Sequence, residues 1–329
     1  MQPAIAQQWN LSFQHEIANN TTLQLGYVGQ HGTHLMVPEW LTQNVLQPNG
    51  TVTSTPYVGG QNADGTFGPN HFGVVKLTAS VGRMEYNALQ AVLQKRYSHG
   101  LETQVSYSYS KCLTDNSGYF GTWSTTTQAA PSSPYYQNLY NSRADWAQCY
   151  WDSKHVLSAY AVYELPVGKG KALAHDTPSA VNAVIGNWSV NPIISLHTGF
   201  PIALYGSDFS GTGSPGPRPN CDVSLLRYPK TVSDAGLLWY DTTNGFLSDP
   251  AKGTFGNCPT QGPVIGPGFA DVDLGLQKNI PFNERMRLQF RTDFLNTFNH
   301  PNFSVPGSDG HITATQAQRQ IQFALKFYF

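Results

Sequence analysis

Alternating apolar and polar residues recur along the whole chain, and the connections between these runs are by turns short and long. Trp9, Leu11, Phe13 and Ile17 stand against Gln8, Asn10, Ser12, Gln14 and Glu16. Successive side chains of a strand point to opposite faces, so such a run is a strand with one apolar and one polar face. After Asn19-Asn20, a dipeptide suited to a hairpin turn, Leu23, Leu25 and Tyr27 resume the apolar set. Leu89, Ala91, Leu93 and Tyr97 oppose Gln90, Gln94 and Arg96; a turn at 98–100 follows, and Leu101, Val105, Tyr107 and Tyr109 alternate with Glu102, Gln104, Ser106 and Ser108. A fifth strand covers about 154–165 and a sixth about 187–205, where Pro192 and Pro201 weaken the pairing because proline has no N–H to donate. The seventh and eighth, 271–281 and 285–296, are separated only by Phe282-Asn283-Glu284, and a ninth closes the chain at 319–329.

The connections fall at 19–20, 31–83, 98–100, 113–153, 166–186, 206–270, 282–284 and 297–318. Loops beyond about fifteen residues are uncommon inside compact soluble domains. Short turns at one rim and long loops at the other are instead the plan of an outer-membrane β-barrel. The expected fold is therefore all-β, an antiparallel meander of about nine transmembrane strands with short periplasmic turns and long extracellular loops. Only the 166–186 connection is longer than that plan prefers. Nine is odd, whereas bacterial single-chain barrels close with an even number. Further strands are expected on the N-terminal side, and with them a signal peptide, since MQPAIAQQWNLSF has no charged region followed by an apolar one.

The final segment, RQIQFALKFYF, sets Ile321, Phe323, Leu325, Phe327 and Phe329 against Gln320, Gln322, Ala324, Lys326 and Tyr328. It is long enough to cross a bilayer at a tilt, although taken alone it also suits the last strand of a soluble sandwich. Charged residues make up only 12% of the 329, about half the usual share, which suits a surface facing lipid on one side and water on the other. No apolar run is long enough for a transmembrane helix, and a net charge of −1 shows no basic patch for nucleic acid.

Cys112 sits at the outer end of the fourth strand and Cys149 in the loop that follows it, while Cys221 and Cys258 share the next outer loop. Four cysteines allow three connectivities, and the sequence does not choose among them. Pairing within each loop would close about 37 residues and stabilise it by up to about 4 kcal/mol in the loop-entropy account. Structural disulfides fit better than zinc, because no Cys-x-x-Cys spacing occurs; unpaired thiols are the other alternative. His31 and His34 sit in a glycine-punctuated loop rather than on a helix beside a glutamate base, and GKGK at 168–171 lacks the spacing of a phosphate loop. No Gly-x-Ser-x-Gly elbow is present. Asp273, Arg287, Arg291 and Asp293 read as water-exposed pairs on a lumen face, so no enzyme, cofactor or metal is expected. Tyr119, Phe120, Trp123, Tyr135, Tyr136, Tyr140, Trp146, Tyr150 and Trp151 crowd the 113–153 loop. They either stack on sugars or aromatic ligands, or knit the loops and form the interfacial girdle.

The stretch ADVDLGLQKNIPFNERMRLQFRTDFLNTFNHPNFSVPGS with the closing RQIQFALKFYF resembles the C-terminal barrel of TonB-dependent transporters of the Oar-like type. LQLGYVGQHGTHL, EYNALQAVLQKRYSHGLETQVSYSYSKC, DSKHVLSAYAVYELPVGKGK and NWSVNPIISLHTGFPI resemble that family's strands in the same order. The resemblance implies that 1–329 is the C-terminal part of a plugged outer-membrane barrel of about 22 strands, lacking the plug and the first strands. It implies a role in energised uptake of an unidentified ligand, with outer-membrane lipid, the barrel-assembly machinery and, through the plug region, the inner-membrane TonB complex as partners. Phe323, Leu325, Phe327 and Phe329 resemble the terminal signal read by the assembly machinery. The alternatives are a structural or adhesive outer-membrane barrel with surface-binding aromatic loops, and a soluble carbohydrate-binding β-protein.

Overall fold

In the computed structural model, which describes residues 2–56, 66, 75–116, 134–283 and 285–329, the alternating runs form nine long antiparallel strands paired in chain order. They are β1 (Ile5–Ala18), β2 (Thr21–Trp40), β3 (Lys76–Ser98), β4 (Leu101–Thr114), β5 (His155–Glu164), β6 (Trp188–His197), β7 (Phe269–Pro281), β8 (Arg287–Leu295) and β9 (Gln320–Tyr328). The two-residue strand Ala147–Gln148 adds to β4. Among the described residues β1 and β9 are the edges of this sheet, which is an open meander.

Register carries the alternation across the sheet. Phe13, Leu25, Ala91, Tyr107, Leu157, Leu196 and Ala270 stand opposite one another from β1 to β7, forming an apolar row. At the far edge Leu288 faces Phe327 and Phe290 faces Leu325. The other face repeats the order in mostly polar side chains, with Gln14, Gln24, Val92, Ser106, Ser158, Ser195 and Asp271 in one row. A slip of one residue would exchange the two faces, so the pattern itself specifies the register. The apolar face is bare: Leu11 is 75% exposed and Phe323 71%. Side chains that would form the core of a soluble sheet point away from the protein.

The short connections are tight turns. His99 (φ 53°) and Gly100 (φ 79°) form a two-residue turn with both residues left-handed, the geometry whose twist matches a hairpin. Asn283 Oδ1 accepts from the amides of Arg285 and Met286 between β7 and β8, while Glu284 lies outside the described residues. The 166–186 connection is longer because it holds a helix, α1 (Ser179–Ile185).

Two expected boundaries are corrected. The stretch 31–83 is not all loop, because β2 continues to Trp40 and β3 begins at Lys76. The alternation is hidden there by register shifts on either side of Leu35, next to His34 with its positive φ. At about 3.3 Å per residue, β2 is far longer than the ~25 Å apolar band of a barrel, so its distal half has no lipid face to pattern. The sixth strand ends at His197 rather than near 205, since Pro201 makes only an isolated bridge to Ile265 and Ile202 and Leu204 turn into a loop cluster. Pro192 is accommodated opposite Leu274, and the β5–β6 ladder is interrupted beside it, between Ile193 and Val190.

A charge on the apolar face costs about 2–4 kcal/mol at the midplane of a bilayer, and one on the polar face does not. Leu89→Lys is therefore expected to lower the amount of assembled protein in membranes sharply, and Gln90→Lys, one residue away on the polar face, to leave it near the parent level. Equal behaviour of the two variants would overturn the assignment of faces.

Candidate functional site: the loop cap

Apart from the 166–186 connection, the long connections described leave from one rim, and they fold onto one another. The buried apolar core of the molecule lies here, not between sheets: Ile202, Leu204, Tyr240, Phe246, Cys258 and Val264 cluster together. The 297–318 loop joins in by pairing His311–Ile312 with the strand Gly236–Leu238, whose other edge carries Thr231–Ser233. Burial pushes the Tyr240 hydroxyl up to about 12, so it stays protonated and donates to the Gly307 carbonyl at 3.2 Å.

A polar knot fastens three of the loops. Gln43, fully buried after β2, donates to the Gln137 carbonyl at 2.8 Å and to Thr212 at 3.1 Å, and accepts from the Leu139 amide. The Gln137 side chain in turn donates to the Gly256 carbonyl and accepts from the amide and Nε of Arg218. The Arg218 guanidinium meets Asp145 at 3.1 Å, with side-chain exposures of 4% and 6%, and also donates to Thr260 and the Ala144 carbonyl. Burial pushes the Asp145 carboxyl up and the Arg218 guanidinium down, and the charge of each offsets part of the shift in the other. Gly256 is required beside this pair, for a Cβ there would lie 1.9 Å from the Arg218 carbonyl oxygen. None of these residues was singled out from the sequence. The available signal was an arginine held between Pro217 and Pro219.

The cysteines join within their own loops. Cys112, at the outer end of β4, is bonded to Cys149, and Cys221 to Cys258, with Cα–Cα distances of 5.4 and 5.2 Å. His31 approaches Glu85 at 3.9 Å and His34 contacts Thr33, and no group of three metal-ligating side chains is found among the described residues.

Of the loop aromatics, Tyr119, Phe120 and Trp123 lie outside the described residues. Tyr135 packs edge-on against Trp40 with the Lys76 ammonium over both rings, and Tyr136 is buried. Tyr140 donates to the Gln43 carbonyl, the Arg83 guanidinium lies over Trp146, and Tyr150 packs edge-on against Trp151. Most of these rings knit the cap, while Trp151 and Tyr140 keep about 40% of their surface exposed.

Below the cap, the expected lumen pairs share the polar face but only one is an ion pair. Arg291 bonds Asp293 at 2.8 Å, Asp273 accepts from the Asn296 amide, and Arg287 lies 4.3 Å from the Tyr328 ring centroid. Cavities of about 500 Å³ near Glu164, Lys171 and Gln277 and about 220 Å³ near Asp271 and Asn302 open on this face, and one of about 510 Å³ opens in the cap beside Tyr205, Pro219 and Asp249. Phe323, Leu325, Phe327 and Phe329 all stand exposed on or beyond β9, with Phe323 stacked on Phe290 and Phe327 on Phe329.

The sequence matches the family described as Outer membrane beta barrel domain over residues 1–322. No curated protein matches it. Among solved structures, the outer membrane transporter YddB from Escherichia coli superposes with a TM-score of 0.48 at 9% identity, over 99% of this chain and 33% of that one. The ferric-catecholate import receptor Fiu from E. coli K12, in its closed form, gives 0.45 at 12% identity over 100% and 28%. FpvA from P. aeruginosa, bound to a heterologous pyoverdine with iron, gives 0.47 at 11% over 100% and 28%. The chain spans a third or less of the length of these structures.

Removing one partner of a buried ion pair leaves the other charge unpaired, at about 3–5 kcal/mol. Arg218→Ala is expected to raise amide hydrogen exchange across 134–154 and 198–268 while the strands stay protected. Unchanged exchange in those loops would show that the knot does not hold the cap.

Proposed function

Because the chain belongs to the outer membrane beta barrel domain family, and so lies in the outer membrane as a wall of transmembrane strands, we propose that it serves energised, TonB-dependent uptake of a ligand through a large barrel. The observation that carries this reading is the polar face. Asp273, Arg287, Arg291 and Asp293 stand on strands whose other face is apolar. Ionised groups at membrane depth are tolerable when they face a watered or protein-filled interior. Such an interior needs a large barrel, and the plug belongs to those of about 22 strands that the sequence resembles. The Oar-like resemblance of the sequence supports the same reading, with the cap as the surface that first meets the ligand.

Full-length protein in outer-membrane vesicles is expected to retain the periplasmic domain of TonB in a pull-down. Absence of binding would sink the energised reading. It would favour the adhesive alternative, which rests on the exposed Trp151, Tyr140, Tyr205 and Tyr228 rings of the cap and would be read as attachment of cells to surfaces. The cap lies on the oxidising side in either case, where non-reducing peptide mapping should recover the Cys112–Cys149 and Cys221–Cys258 pairs.

The exposed row Phe323, Leu325, Phe327 and Phe329 serves as the signal to the barrel-assembly machinery. Deleting Phe329, which lies one residue beyond β9 and is 96% exposed, is expected to reduce outer-membrane levels without altering the sheet. Parent levels of that variant would refute the assignment.

A further inference from the structure

The apolar face is not uniform. Across β1 to β4 it dips into a cavity of about 510 Å³ lined by Leu11, Phe13, Leu25, Tyr27, Leu89, Ala91, Tyr107 and Tyr109. Gly26 and Gln90 also line it, and Ala91 is the smallest lining side chain on the apolar face, standing between Leu25 and Tyr107, its partners in register. The walls are bulky and the groove is almost wholly apolar. Both tyrosines in contact with polar groups turn their hydroxyls toward the outer rim. Tyr27 donates to Asn87 at 2.6 Å, and the Tyr107 hydroxyl meets His155 Nδ1 at 2.7 Å. On that face His155 stands one row, and Asn87 two rows, further out in register than the inner row of Phe13, Leu25, Ala91 and Tyr107.

Two lysines stand over that polar end. Lys111 lies opposite Asn87, one same-face step outward from Tyr109, and the Lys154 ammonium sits 5.6 Å from the Tyr109 ring centroid. Both are exposed, and both lie close enough to Asp152 for their charges to act on its carboxyl. Asp152 itself is buried and accepts from Gln148, and the exposed Glu85 is turned to His31. Among the described residues neither lysine forms an ion pair within 4 Å. Trp9 lies flat over Gly29 in the same row as Asn87 and Lys111, as an indole at headgroup depth would.

We propose that this groove and the Lys111–Lys154 pair form a binding site for a phosphate-bearing acyl lipid of the outer leaflet. One acyl chain lies over Ala91 between the tyrosines, and the phosphate is held by the two ammonium groups at the rim. The charges are complementary to a phosphate, and the site is amphipathic in the order the leaflet demands: cations outermost, hydroxyls next, hydrocarbon inward. The proposal rests on membership of the outer-membrane family and on these contacts, and is independent of what the barrel transports.

The test uses full-length protein extracted from its own outer membrane into detergent, with retained lipid measured by phosphate content and native mass spectrometry. A lysine near an anionic lipid surface is worth about 1 kcal/mol, so the K111A/K154A double variant is expected to hold the lipid about 30-fold more weakly. Ala91→Trp, which fills the groove and keeps both lysines, should also shed it. Heat-modifiable migration on gels reports separately that both variants remain folded. Equal lipid content in parent and double variant overturns the proposal. So does a site that inorganic phosphate alone saturates and that Ala91→Trp leaves intact, since that would be a phosphate site without a lipid.

Discussion

The whole structure depends on one constraint: in hydrocarbon a backbone N–H or C=O has no water to turn to, so each must find its partner on a neighbouring strand. A meander in chain order meets this with the least connection, and the nine strands pair in that order without a crossover. Once the backbone is committed to the ladder, only the side chains remain to tell lipid from water. The period of two does so, because a row such as Phe13, Leu25, Ala91, Tyr107 and Leu157 places hydrocarbon beside hydrocarbon on five successive strands. Local pattern and global pairing thus agree, which is the condition for a unique register.

Turning the apolar side chains outward deprives the sheet of a core, and the cap supplies one. Its cluster around Tyr240, Phe246 and Val264 is small, and long loops lose much conformational entropy when they order. Hydrogen bonds to buried carbonyls and one ion pair therefore do much of the fastening. The Arg218–Asp145 pair is costly to desolvate, and Gln137, Thr260 and Ala144 offset part of that cost by accepting three further hydrogen bonds from the guanidinium. The cap is also tied to the sheet by side chains that imitate strand bonds. Asn302 exchanges two hydrogen bonds with the backbone of Ala270, and Asn296 accepts from His300 while its own amide donates to Asp273. The loops are thereby positioned by the strands instead of merely hanging from them.

The strand count, the order of the strands and the rim that carries the loops were legible in the sequence because alternation is a local signal. Legibility stopped where lipid stops. Beyond Gly32 and before Met84 the ladder continues, but with both sides outside hydrocarbon nothing obliges the residues to alternate, and the shifts around Leu35 break what pattern is left. The knot of Gln43, Gln137, Asp145 and Arg218 was illegible for another reason. Its members are separated by up to 175 residues and meet only because β2, β4 and β6 deliver their loops to one rim. The cysteine pairs, 37 residues apart in each case, left three connectivities open in the sequence, whereas the fold brings each pair together within its own loop.

The inner rim holds the residue that the alternation rule alone would have misplaced. Lys278 follows Leu274 and Leu276 on the apolar side of β7, opposite Phe290, yet it is buried. An ammonium on a lipid face must reach the interface or find a carbonyl, and here the carbonyl is brought to it. The connection between β5 and β6 ends by laying Gly186 against the Lys278 ammonium, with the Trp188 ring 5.6 Å from it and the Trp188 indole bonded to the Val184 carbonyl of α1. A two-residue turn at that position could join the strands but could not supply the cover. Among the described residues, the long connection at the short-turn rim and the lysine buried on the apolar face are therefore two sides of the same arrangement, and shortening the first would leave the second without a partner.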